Sequence, residues 1–331
     1  MVRAMFQGGD WVQRLKSRID VTAAPASGWA TKIDRRSDLS LEEFTSEYLL
    51  PRQPVIITDA ARAQGWKALG WTPASLKARL GARPVPVGEG LVPFDQFVDR
   101  VLNDPSAPYL SNVDIPKYFP ELVPDFRPPL KYAADNRLFS PLIPPNFPTP
   151  HEEKLFVTFF FGPRGRTFNL HYDFYNVHTF ITQLHGTKDF RFYSPDQGAY
   201  LYPNPKNPKI SDVGNAWAPD YQRHPLFREA RPLEFTASPG ETLFVPAGWW
   251  HGTRLGEQCI SIGESFVNEG NWMHFVQDVA LEGSPSLAKR IAAATYLLGA
   301  GAVMTVEERL GLQAVQGTLG RLLPRLQAIA K

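Results

Sequence analysis

The stretch Leu155–Tyr193, LFVTFFFGPRGRTFNLHYDFYNVHTFITQLHGTKDFRFY, decides the fold class. Leu155–Phe161, Val177–Leu184 and Phe190–Tyr193 are short runs rich in aromatic and aliphatic residues, separated by Gly, Pro, Asn and Asp, as strands joined by turns are. Working outward, Tyr109–Val113 on one side and Thr242–Val245 and Cys259–Ser265 on the other read as further strands. The chain has 31 prolines, many of them within 116–150 and 203–246. Because proline fixes φ and donates no backbone hydrogen bond, a long helical bundle across the middle is excluded, and a β sandwich or barrel is expected.

The flanks have a different texture. Residues 41–103 mix a helical stretch at Leu41–Leu49, an apolar strand at Pro54–Thr58 and helical patterns at Pro73–Leu80 and Pro93–Leu102. After Asn271 the pattern is helical: Trp272, Phe275, Val276 and Val279 share a face, and Leu287–Leu298 and Val306–Ile329 repeat apolar residues at helical spacing, with Pro324 placed to kink or end the last helix. The expected organisation is an α+β lead-in over 1–108, a β core over 109–270 and a helical appendage over 271–331. Those last helices suit a homodimer interface or an intramolecular cover for the core.

Composition sets the outer limits. With 331 residues, 43% of them hydrophobic, the chain can bury a large core. Lys and Arg number 35 against 33 Asp and Glu, so charge points neither toward nucleic acid nor away from it. Cys259 is the one cysteine, which excludes an internal disulfide framework and a cysteine-rich zinc module and suits a reducing compartment. Met1–Asp10 has no apolar run of the secretory type, and Ile291–Met304, the longest apolar stretch, is about 14 residues where a membrane span needs roughly 20. A soluble, cytoplasmic protein without a membrane segment is expected.

Three residues suggest a metal. His171 and Asp173 stand at i and i+2, which on a strand puts both on one face. Downstream, Phe244-Val245-Pro246-Ala247-Gly248-Trp249-Trp250-His251 reads as a strand, a turn and a histidine starting the next strand. Two imidazoles and one carboxylate leave several coordination positions open, as non-haem Fe(II) sites that bind a co-substrate and O₂ require. A structural zinc site would instead close its fourth position with protein.

The chain from about Leu41 to Asn268 resembles the Jumonji-C, cupin-like family of Fe(II)- and 2-oxoglutarate-dependent hydroxylases. The resemblance rests on Gly162-Pro163-Arg164-Gly165 leading into His171-Tyr172-Asp173, on Gln183-Leu184-His185-Gly186-Thr187-Lys188, Tyr193-Ser194-Pro195 and Pro239-Gly240-Glu241, and on Val245–His251. It implies a double-stranded β-helix (jelly-roll) core, with Fe(II) on His171, Asp173 and His251. It also implies 2-oxoglutarate as co-substrate with O₂, and Lys188 as partner of the distal carboxylate. A lysine after a Gly-Thr turn between hydrophobic residues, aimed into a core, independently needs an anion. Tyr109 resembles the family's tyrosine at the same carboxylate, or else is a core tyrosine with a satisfied hydroxyl. Thr179 and Ser265 are further lining candidates. The sequence departs from the pattern at Phe168, where the family usually carries threonine.

The implied reaction is hydroxylation of a protein side chain, RNA base or small molecule, coupled to conversion of 2-oxoglutarate to succinate; Asp rather than Glu in the triad favours hydroxylase over demethylase. The alternatives are a metal-dependent cupin that uses no 2-oxoglutarate and a non-catalytic interaction protein. His178, five residues beyond Asp173, is a candidate for the same cavity, whereas His151, His185, His224 and His274 read as surface or hydrogen-bonded residues. Arg164, Arg166 and the basic residues of 202–232 form either a positive rim or solvated loop charge, and that insertion is the natural substrate lid.

Overall fold

Alternation along the strands sorts the side chains into an inner and an outer set, and the sheets follow from burying both. In the computed structural model, which describes residues 22, 24–88, 90–133, 136–143, 157–282 and 286–310, the strands run β1 (Asp34–Arg36), β2 (Val55–Ile57), β3 (Pro84–Val87), β4 (Gly90–Pro93), β5 (Leu110–Asp114), β6 (Val157–Gly162), β7 (Thr167–His171), β8 (His178–His185), β9 (Lys188–Tyr193), β10 (Pro203–Asn204), β11 (Asn207–Ser211), β12 (Leu233–Ala237), β13 (Thr242–Val245), β14 (Trp250–Leu255) and β15 (Cys259–Phe266). Seven of them form a sheet ordered β1-β2-β13-β8-β15-β6-β5, and six form a second ordered β10-β11-β7-β14-β9-β12. All pairs are antiparallel except β1 with β2.

The inner faces meet through Ile56, Ile181, Leu243 and Val245 of the first sheet and Phe190, Phe192 and Phe235 of the second. On the outer face of the seven-stranded sheet, Phe159, Phe161, Phe180, Phe244, Ile262 and Phe266 pack under an N-terminal layer that contributes Phe44, Trp66, Phe94 and Phe97. That layer includes α1 (Pro73–Leu80) and α2 (Phe94–Asn103). Thr72 caps the first turn of α1 by accepting from the Ser75 backbone N–H. A β core with flanking helices is thus present, although β1 and β2 of the lead-in are themselves members of the sheet.

Residues 202–232 differ from the expected lid. Their apolar side chains Val213, Ala216 and Phe227, with Leu201 just before the segment, cover Leu170, Tyr193 and Trp250 on the outer face of the second sheet, and β11 extends that sheet by pairing Ile210 with His171. Burial of those apolar groups makes the insertion a wall.

Helix α3 (Trp272–Glu282) follows β15, and α4 (Leu287–Leu310) packs on it through Leu297, Ala300 and Met304. The two touch closely at Gly301, where a Cβ would lie 2.1 Å from Trp272 Nε1. Helix α4 runs past the expected end at Leu298; residues 311–329 and Pro324 lie outside the described residues. By length and composition Leu287–Glu308 would suffice to cross a membrane, which the shorter apolar stretch read from the sequence did not anticipate. Leu287, Ile291, Leu298, Val303 and Val306 on it are exposed.

Candidate metal centre

The metal-ligating residues are brought together by an irregular strand pair. On β14 and β7, His251 faces His171 and Thr253 faces Phe168, so three residue steps on β7 oppose two on β14. This bulge re-aims β7 so that Phe168 and His171 both reach the cavity between the sheets. Strand β7 ends at His171, but the backbone stays extended through Asp173 (φ −63°, ψ 137°), which preserves the shared face expected from the i, i+2 spacing. One ligand atom from each of His171, Asp173 and His251 lies within 4.8 Å of the others. Both Nε2 atoms are 3.9 Å from Asp173 Oδ1.

The groups behind the ligands fit a cation. His171 Nδ1 lies 2.7 Å from the Asn169 carbonyl and His251 Nδ1 lies 3.0 Å from the Trp249 carbonyl. A carbonyl only accepts, so each Nδ1 carries the proton and each Nε2 presents its lone pair to the shared centre. Thr179 donates to Asp173 Oδ2 at 2.7 Å, leaving Oδ1 toward the histidines. Burial, and then the neighbouring His251, hold the His171 imidazole well below its usual pKa, against the pull of Asp173, which keeps it neutral as a ligand must be. The two-histidine, one-carboxylate donor set suits Fe(II) and leaves one side open.

That open side faces a cavity of about 90 Å³ whose lining includes Tyr109, Phe168, Thr179, Lys188, Thr253 and Ser265. Lys188, the first residue of β9, is 2% exposed. Its ammonium donates to the Ser261 hydroxyl and lies 5.1 Å from the Phe160 ring centroid. No carboxylate pairs with it among the described residues, and burial pushes it down to about 8. A buried cation in this state provides a strong site for an anion. Tyr109 fits against β6 because Gly162 has no Cβ, which would sit 2.6 Å from the Tyr109 ring; desolvation raises its phenol far above the usual value, so it is a neutral hydrogen-bonding group. Ser265 Oγ lies 3.3 Å from Thr179 Oγ1, so both line the carboxylate ligand's side of the cavity.

Phe168 stands edge-on to His171 with centroids 4.9 Å apart and edge-on to Tyr109 at 6.3 Å. It lines both this cavity and a larger outer cleft of about 490 Å³, whose walls include Asn112, Asn169, Phe174, Tyr175 and Ile210. Thr253 and Phe160 were not anticipated as lining residues, although alternation from His251 and from the inner face of β6 would have found them. Asn112 has φ 54°, a conformation that asparagine tolerates and that no sequence period signals.

His178 belongs elsewhere. It is fully buried on the opposite face of β8, accepts from the Ala247 backbone N–H at 3.0 Å, and is pushed down to about 3 by burial. The one-residue step from Thr179 puts it beyond the cavity. Of the two readings of the basic residues, the positive rim is not seen in the cleft lining among the described residues: Arg166 donates to the Ala107 carbonyl, and buried Lys209 pairs with Asp278 at 3.3 Å. Trp249 and Trp250 are core residues, with Trp249 Nε1 donating to the Arg52 carbonyl. His151 lies outside the described residues.

A family profile described as a cupin-like domain matches residues 40–263. Among similar proteins, the JmjC domain-containing protein D of Dictyostelium discoideum is 27% identical over 256 residues, covering 67% of this chain and 53% of its own. Lysine-specific demethylase 8 of Danio rerio is 28% identical over 268 residues, covering 75% and 61%. The tRNA wybutosine-synthesizing protein 5 of Homo sapiens is 30% identical over 164 residues, covering 48% and 50%. The matches thus span about half to three fifths of these relatives.

Proposed function

We propose, from the premise that this chain belongs to the cupin-like domain family, that it is an Fe(II)- and 2-oxoglutarate-dependent oxygenase that hydroxylates its substrate. One observation carries the reading: an open-sided triad of two histidines and one carboxylate shares a small cavity with a buried lysine that has no carboxylate partner among the described residues. A metal held by the triad, with the co-substrate's distal carboxylate held by Lys188, would account for both. The two facing sheets are read accordingly as the halves of a double-stranded β-helix over 109–270, flanked by the lead-in and the C-terminal helices.

Bound iron with 2-oxoglutarate and O₂ would supply the oxidising power to place one oxygen atom in a C–H bond of the substrate and the other in succinate, with release of CO₂. The chain's own residues perform the rest. His171, Asp173 and His251 hold the metal on one side, and Thr179 fixes which Asp173 oxygen faces it. Lys188, with Tyr109 and Ser261 nearby, binds and orients the co-substrate's carboxylate. Phe168, Phe160 and Ile181 line the cavity with apolar surface that excludes water from the reacting atoms. Substrate would enter through the outer cleft, past Phe174 and Tyr175. The relatives' names include a demethylase and a tRNA-modifying protein, so a protein side chain, an RNA base or a small molecule is the substrate range proposed here.

The exposed apolar residues of α4 favour a second copy of the chain as their cover, giving a homodimer. The functional test is Fe(II)-dependent formation of succinate from 2-oxoglutarate by the purified protein without added substrate. Turnover above the metal-only background is expected. A protein that binds Fe(II) yet neither binds nor consumes 2-oxoglutarate would belong to the cupins that use no such co-substrate.

A further inference from the structure

The segment following Asp173 is conformationally costly. Tyr175 (φ 59°) and Asn176 (φ 48°) are consecutive non-glycine residues in the left-handed region, and such a backbone persists only where its surroundings over-determine it. The surroundings here are the start of α3. Buried Asn271 donates from Nδ2 to the Asn176 carbonyl at 2.8 Å, while its Oδ1 accepts from the Asn268 backbone N–H at 2.8 Å. The Tyr175 and Phe275 rings lie 6.5 Å apart. One helical turn on, Asp278 pairs with Lys209, whose backbone carbonyl accepts from the Tyr172 N–H between the two metal ligands of this strand end.

We propose that Asn271 is a positioning residue for the metal site: its bond to the Asn176 carbonyl holds the left-handed turn that presents Asp173 to His171 and His251. The inference rests on the metal-site reading above. It gives α3 a role beyond covering apolar surface, because the same turn that ends in Asn176 begins at a ligand and supplies Phe174 and Tyr175 to the outer cleft. Asn271 touches none of the reacting atoms and acts through the backbone, so its loss should alter the ligand set's geometry as well as the stability of the fold.

The test uses the full-length protein and Co(II) alone, titrated by calorimetry and followed by its visible ligand-field absorption. Asn271→Asp keeps an oxygen acceptor for the Asn268 N–H and removes the donor to Asn176; Asn271→Ala removes both. Gly301→Ala serves as the structural control, since it disturbs the α3–α4 contact at Trp272 without touching Asn176. Both Asn271 variants are expected to bind Co(II) about tenfold more weakly or worse, the usual effect of losing a group behind a ligand, and to show an altered absorption band. Gly301→Ala should lower the unfolding midpoint and leave affinity and spectrum unchanged. If Asn271→Ala does not fold, Asn271→Asp decides alone. Wild-type affinity and spectrum in a folded Asn271→Asp protein would overturn the proposal while leaving the metal site standing. Equal losses in Gly301→Ala would also overturn it, by reducing Asn271 to a stability residue. Failure of the wild-type protein to bind Co(II) would remove both the proposal and the metal-site reading beneath it.

Discussion

Strands β8 and β15 present two faces that differ by a single residue step and by everything in their chemistry. Toward the cavity stand Thr179, Ser261 and Ser265, with the metal ligands and Lys188 beyond them. Toward the N-terminal layer stand Phe180, Ile262 and Phe266, with His178 and Glu264 among them. Both faces bury ionisable groups. On the outer face these groups are held neutral: His178 is pushed down to about 3, and burial pushes the Glu264 carboxyl up to about 8 against the pull of Arg127. On the inner face the ammonium of Lys188 opens onto a cavity. Desolvation therefore does not by itself mark a functional group; a buried charge that opens onto a cavity shared with the metal ligands does.

The comparison can be broken most sharply at the two extremes. Asp173→Ala on the inner side should lower Fe(II) or Co(II) affinity by at least about 100-fold, above the range for groups behind the ligands, while circular dichroism and the unfolding midpoint stay near wild type. Phe180→Ala on the outer side should do the opposite, since its ring stacks on Phe266 with centroids 5.1 Å apart and packs against Phe44. A loss of about 3–5 kcal/mol in stability is expected, measured by urea unfolding, with metal affinity retained by the folded protein.

A pH titration sharpens the outer face. Glu264 has a folded pKa above its unfolded value near 4.3, so the folded state binds the extra proton. Its contribution is full below that unfolded value and is lost as pH rises toward about 8. His178 runs the other way: its contribution is full above about 6.5 and is lost as pH falls toward about 3. Glu264→Gln should therefore flatten the decline in unfolding free energy between pH 6.5 and 8 and leave the acid limb in place. The smallest effect belongs to Thr179→Val, which removes the donor to Asp173 Oδ2. Metal affinity should fall about tenfold in calorimetry with little change in stability.

Much of this was legible beforehand, for identifiable reasons. Thr242–Val245 and Pro73–Leu80 have the bounds read from the sequence, because one is a fully buried apolar run and the other is bracketed by a capping threonine, a proline at its first position and a following glycine. The triad was readable because strand period and a turn before His251 are local signals. What escaped were features set by distant partners. The bulge that brings Phe168 beside His171 is defined by register against β14. The left-handed turn at Tyr175 and Asn176 depends on Asn271, and the 202–232 segment became a wall because Leu170 and Trp250 needed covering. His178 illustrates the limit of proximity along the chain: it is close in sequence to Asp173 and lies on the other side of the sheet.

The most direct measurement is calorimetric titration of the Mn(II)-loaded protein with 2-oxoglutarate, comparing wild type with Lys188→Met across pH 6.5 to 9.5. The expected result is tight binding by wild type that weakens above about pH 8 as the ammonium loses its proton, and at least about a tenfold loss in Lys188→Met, the cost of removing a charged hydrogen-bonding partner. Equal affinity in the two proteins, with no dependence on pH near 8, would contradict the assignment of this cavity to an anionic co-substrate.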